Sequence, residues 1–239
     1  MEGWREYDLR RAFPLKEGYL GVDRWSTTGN KFVVHFVECP FDCSPDESIE
    51  YWLVELGAAA EPVDYFPTRG LLANEGFEPF QSVRYSDQLI ALEEPSLWER
   101  AKTQKEQSYR FLWLRTFHEP IAIRVDINAD RTARLTVKVA NGAGGYDPGE
   151  LTQNRTVTIS VEETNRFLNQ VQSHNFWSLP SVEQTPGGPD GADWIIEGVK
   201  ARSYHVVGRW SPQDGDVRAM GLFIVNELAK LEIPTNEVY

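Results

Sequence analysis

Glu197, His205 and Arg209 fall within seventeen residues, 194–210. A carboxylate, an imidazole and a guanidinium so close could form an acid–base dyad with a cation beside it. Strand geometry argues against that. The segments 194–200 and 204–210 read as a hairpin whose two-residue turn is Ala201-Arg202. In that register Gly198 faces His205, while Glu197 faces Val206. Directly paired residues share a sheet face, so Glu197 and His205 lie on opposite faces. Trp194 faces Arg209, a cross-strand cation–π arrangement. Glu197 is left among Ile195, Val199, Tyr204 and Val206, where a carboxylate needs a bulge or a buried partner.

His35, Cys39 and Cys43 are of metal-ligand type. A structural zinc takes four ligands in tetrahedral geometry. Only three lie close together here, and the chain has just two cysteines. Free thiols and no bound zinc are therefore expected.

The stretch 141–149, NGAGGYDPG, is the richest in glycine. A phosphate-binding loop needs a helix N-terminus after it, because the first helical amides hold the anion. This stretch lies between two predicted strands and lacks G-x-x-x-x-G-K-S/T. It reads as a flexible inter-strand loop, with Tyr146 and Asp147 as its candidate ligand contacts. No serine stands in G-x-S-x-G, and no H-E-x-x-H occurs. His118 precedes Glu119-Pro120 in a turn, and His174 lies near the end of a predicted helix. No cofactor motif is present, and no cofactor is expected.

The strongest charge signal is a run without cations. Between Lys31 and Arg69 there is no Lys or Arg, while Glu38, Asp42, Asp46, Glu47, Glu50, Glu55, Glu61 and Asp64 all occur. The whole chain has a net charge of −12, and residues 1–108 hold 20 acidic and 11 basic side chains. Such a balance disfavours nucleic acid and anionic membranes and suits a basic protein partner. Asp46, Glu47, Glu50 and Glu55 are the candidate partner-binding residues.

These residues need elements to position them. Residues 31–38 read as an apolar strand. Ser44, Pro45 and Glu47 mark a helix start with a capping box. Ile49, Trp52, Leu53 and Leu56 then follow at helical spacing, and Gly57 closes the segment. Off that stripe, Glu47, Glu50 and Glu55 would make an acidic face. Residues 61–95, rich in Pro, Gly and aromatics, read as a non-regular connection. Ser96 and Glu99 form a second capping box, and a short polar helix runs to about 107.

From there the pattern is regular. Residues 109–117 read as a strand. Ile121, Ile123, Val125 and Ile127 alternate with polar or small residues, as do Leu135, Val137 and Val139. A turn cluster at 128–131 makes these an antiparallel hairpin with one wet face. A short strand at 156–159 leads to a third capping box, Ser160 to Glu163. Thr164, Phe167, Leu168 and Val171 form the stripe of the helix it opens. A last helix spans about 217–231, with Val217, Met220, Ile224, Leu228 and Leu231 on one face.

The order predicts an α+β fold: an antiparallel sheet built from hairpins, with helices on one face. The expected division is an acidic region, 1–108, holding a strand and a capped helix, and a sheet domain, 109–239. No run approaches the roughly 18 apolar residues of a membrane span. Residues 1–8, MEGWREYD, have no signal-peptide pattern. The expected setting is the cytoplasm. The expected function is non-catalytic binding of a basic protein, for example as an immunity- or antitoxin-type inhibitor. The alternative is an enzyme whose site is assembled from dispersed loop residues around 141–147.

Overall fold

The structure is a computed structural model that describes residues 21–28, 31–37, 47–52, 65–67, 79–103, 107–182, 188 and 190–239. The chain divides into two compact units, Met1–Pro62 and Val63–Tyr239.

In the first unit, β1 (Gly21–Thr28), β2 (Lys31–Val37) and β3 (Glu47–Trp52) form an antiparallel sheet in the order β1-β2-β3. Within the span 45–56, expected to be helix, the described residues are not helical. Residues 47–52 are strand, with Phe36 paired to Glu47, Val34 to Ile49 and Phe32 to Tyr51. Bulky and β-branched residues such as Ile49, Tyr51 and Trp52 suit a pleated surface. The neighbouring strand outweighs the local capping signal, because helix propensity is a weak prior.

The second unit is built on a six-stranded antiparallel sheet ordered β7-β6-β5-β4-β8-β9. Its strands are β4 (Gln107–Arg115), β5 (Ile121–Ile127), β6 (Ala133–Ala140), β7 (Leu151–Ile159), β8 (Ala192–Lys200) and β9 (Ser203–Trp210). The fold is α+β, as the sequence pattern predicts. The β8–β9 register also matches: Trp194 pairs with Arg209, Glu197 with Val206 and Gly198 with His205. Ala201 and Arg202 both have positive φ, 51° and 70°. That is the backbone of a two-residue hairpin turn that follows strand twist.

One sheet face carries Phe111, Trp113, Ile123, Leu135, Val137, Trp194, Ile196 and Val207 in the main core. Two helices cover it. α3 (Val161–Ser173) is opened by the complete Ser160–Glu163 capping box and buries Thr164, Phe167 and Val171. α4 (Gly215–Leu222) buries Val217 and Met220, then widens into a π-helix, Phe223–Leu228, that buries Ile224, Val225 and Leu228.

The opposite face is covered over β5, β4 and β8, whereas β7 at the edge is exposed. α1 (Pro79–Ala91), within the stretch read as non-regular, and α2 (Leu97–Thr103) lie over it. Tyr85, Leu89 and Leu92 pack with Leu112, Leu114 and Ile195. Of the hairpin's polar residues, Arg124, Asp126, Thr136 and Lys138 are buried, while Arg134 is exposed. Arg124 Nη1 donates to Glu94 at 2.6 Å, and Arg124 Nε to Asp126 at 3.0 Å. Lys138 Nζ donates to the Glu93 carbonyl at 2.7 Å. Glu197 has the buried partner its position demands. Arg110 Nε, directly opposite on β4, donates to it at 2.7 Å, and Tyr204 Oη at 2.8 Å.

Candidate functional site

Antiparallel order brings the connections β4–β5, β6–β7 and the approach to β8 to one end of the sheet. The glycine-rich loop 141–149 lies there, packed and hydrogen-bonded within itself and to its neighbours. Within it, Gly142 N donates to the Pro148 carbonyl at 2.9 Å and Ala143 N to that of Asp147 at 2.8 Å. Outward, Gly144 N donates to the His118 carbonyl at 2.9 Å and Gly145 N to that of Thr116 at 3.2 Å. The glycines are needed for closeness. A Cβ on Gly142 would stand 2.1 Å from the Asp147 carbonyl oxygen, and one on Gly144 2.6 Å from Leu114 Cα.

α1 clamps the same loop. Positions 84, 87 and 88 share one helix face by the three- and four-residue spacing. Arg84 Nη1 donates to the Gly144 carbonyl at 3.2 Å, and Gln88 Nε2 to the Tyr146 carbonyl at 3.0 Å. Arg84 Nη2 also pairs with buried Asp193, to which Tyr85 Oη donates at 2.7 Å. Burial raises the Tyr85 hydroxyl well above its usual range, and Asp193 beside it adds to the rise. Burial pulls the Arg84 guanidinium down, but Asp193 and Tyr85 together outweigh it and raise it. Tyr85 is therefore a neutral donor. The triad fastens α1 to the start of β8.

Against this rigid base stand the two most exposed large apolar side chains of the described residues, Phe117 and Tyr146, 59% and 62% accessible. Their rings are paired, with centroids 6.2 Å apart and planes at 32°. Tyr146 is therefore built into a surface, and its partner comes from the β4–β5 turn. Asp147 is exposed beside it. Asp87, half-buried on α1, has its carboxyl pushed up to about 7, first by burial and then by the charge of Asp147. Gln88 is buried, and its Oε1 has no hydrogen-bond partner.

Glu47 and Glu50 are on β3, where a spacing of three puts them at positions of opposite parity. Asp46 and Glu55 lie outside the described residues, as do Cys39 and Cys43. His35 lies on β2. His205 bonds the Leu179 carbonyl at 3.0 Å and packs edge-on to Phe176. Arg218 lies over the Trp194 ring, while Arg209 donates to the Pro180 carbonyl.

Asp87, Gln88 and Phe117 are site residues that the sequence reading missed. A signal for α1 exists: proline at its first position, then Tyr85, Leu89 and Leu92 at i, i+4 and i+7. Nothing local marks Phe117 as the partner of Tyr146, 29 residues on.

Among the described residues no group of three or more His, Cys, Asp or Glu is placed to hold a metal ion. None of the helices described is long and apolar enough to cross a membrane. No protein-family model matches the chain, and no curated protein matches it.

Proposed function

We propose that this protein acts by binding a basic protein in the cytoplasm, through a docking surface centred on Phe117 and Tyr146. The observation that carries the reading is the exposed ring pair on a loop that α1 and β4 hold rigid. A single exposed aromatic is ordinary. Two paired ones on a fixed base resemble the preorganised aromatic anchors that dominate interface energetics. Asp87 and Asp147 beside them, and a chain charge of −12, supply complementarity to a cationic partner and oppose nucleic acid. The cation-free run from Phe32 to Thr68, with Asp46, Glu47, Glu50 and Glu55, adds long-range attraction for the same partner. An immunity- or antitoxin-type inhibitor is one protein of this kind.

The test is affinity capture from the native host at low salt, with the wild-type chain beside a Phe117→Ser/Tyr146→Ser variant. A basic protein retained by the first and lost by the second supports the reading. Retention by both, or by neither, rejects it.

A second reading is supported by Asp87, whose carboxyl at about 7 is placed to act as a general base near neutral pH. It is an enzyme site on the same loop end. Turnover of a small molecule that is abolished by Asp87→Asn would favour it over docking.

A further inference from the structure

The binding reading above leaves open what the partner presents to the ring pair, and the chemistry around the rings narrows it. We propose that Phe117 and Tyr146, with Asp87 and Asp147 beside them, receive an arginine side chain from a basic segment of the partner.

Four features point the same way. First, the side chains flanking the rings are acidic: Asp147 is exposed and Asp87 half-buried. The aromatic faces carry negative quadrupole potential, which attracts cations. Second, the one cation of α1 on this side is committed. Arg84 spans Asp193 and the Gly144 carbonyl, so it does not neutralise Asp87. Third, Gln88 Nε2 donates to the Tyr146 carbonyl at 3.0 Å, so the helix residue before it, Asp87, and the loop residue after Tyr146, Asp147, belong to one acidic patch that a guanidinium complements. Fourth, the rings stand at 32° and both are open to solvent. They form an open surface and not the closed box that wraps an alkylated ammonium. A planar guanidinium can stack on such a surface while its edge donates to carboxylates, which a compact ammonium cannot do.

Burial and anchoring make the surface preorganised. The Tyr146 carbonyl is held by Gln88, and the adjoining glycines are hydrogen-bonded to the backbone of Thr116 and His118. Little ordering cost then falls on the protein when a ligand side chain arrives.

The probe is a fluorescein-labelled glycine–serine peptide carrying arginines. It is titrated into the full chain at low salt, beside matched peptides carrying lysine or the neutral isostere citrulline. The arginine peptide should bind about tenfold tighter than the citrulline peptide, with lysine between them. Phe117→Ser/Tyr146→Ser should weaken arginine binding roughly tenfold, and Asp147→Asn about threefold. Both changes are at exposed positions, so an unchanged thermal melt will show intact folding. Equal affinity for arginine and citrulline, or for wild type and the double variant, overturns the inference. So does lysine binding as tightly as arginine. If a captured basic partner needs the ring pair while the arginine peptide does not bind, docking stands and the arginine assignment falls. If no basic protein depends on the pair, both fall.

Discussion

Arg110 and Glu197 stand directly opposite each other on β4 and β8, and both side chains are fully buried. Burial raises the Glu197 carboxyl above its usual range, while the Arg110 guanidinium and the Tyr204 hydroxyl pull it back. Arg110 Nη1 also donates to the Pro95 carbonyl at 2.7 Å, which ties the α1–α2 junction to the sheet. Removing one partner leaves an uncompensated charge in the interior. Arg110→Met or Glu197→Leu alone should therefore cost about 3–5 kcal/mol in urea unfolding. The double variant should recover most of that. If each single change costs under about 1 kcal/mol, the pair is not as buried as the structure has it.

The Asp87 carboxyl titrates near 7 in the folded chain, against 3.8 for an ordinary aspartate. Between those values the folded state holds a proton that the unfolded state has lost. Stability should then fall as pH rises from about 4 through 7, for this group alone. Asp87→Asn should remove that slope. Asp147→Asn should bring the Asp87 titration down, because one of its two causes is gone. Carboxyl NMR of Asp87 in the two proteins reads both effects, and a midpoint unmoved by Asp147→Asn would show that the two groups are not neighbours.

Core substitutions should separate Ile224 from Leu168. Ile224 is buried in the main core, whereas Leu168 is only half-buried against it. Ile224→Ala should cost about 2–5 kcal/mol. Leu168→Ala should fall well below Ile224→Ala, since less apolar area leaves water. Equal costs in denaturant titration would contradict the packing of α3 described above.

Gly144→Ala should move the loop. Its Cβ would meet the backbone of Leu114 and Arg115, which cannot yield as a side-chain tip can. The expected outcome is a loss of about 1–3 kcal/mol, with partner binding weakened as Tyr146 shifts away from Phe117. Unchanged binding would mean that the pair does not depend on the loop's seat.

The β8–β9 turn offers the opposite sign. Ala201 and Arg202 both occupy the left-handed region, where a side chain costs roughly 1 kcal/mol and Asn or Gly costs less. Ala201→Asn with Arg202→Gly should raise the melting temperature. A lowered one would show that these residues make contacts beyond the turn.

The sequence by itself determined those parts of the second unit that are encoded by neighbours in the chain. Alternation at 121–127 and 133–139 is visible wherever one looks along a strand. So are the Ser96 and Ser160 caps, and the parity that separates Glu197 from His205. These depend on residues at most a hairpin apart, so local pattern suffices. Tertiary structure decided the rest. The segment 47–52 became a strand because β2 lay alongside to pair with it, which no local cap could announce. Arg124, Asp126, Thr136 and Lys138 on β5 and β6 became interior because α1 and α2 lie over that face, and a buried Arg reads the same in sequence as a solvated one. Tyr146 and Asp147 were legible as loop residues. That Phe117 pairs with the first and Asp87 feels the second follows only from strand order and helix docking. Those bring distant positions together through packing free energy, and such contacts leave no periodic trace in the chain.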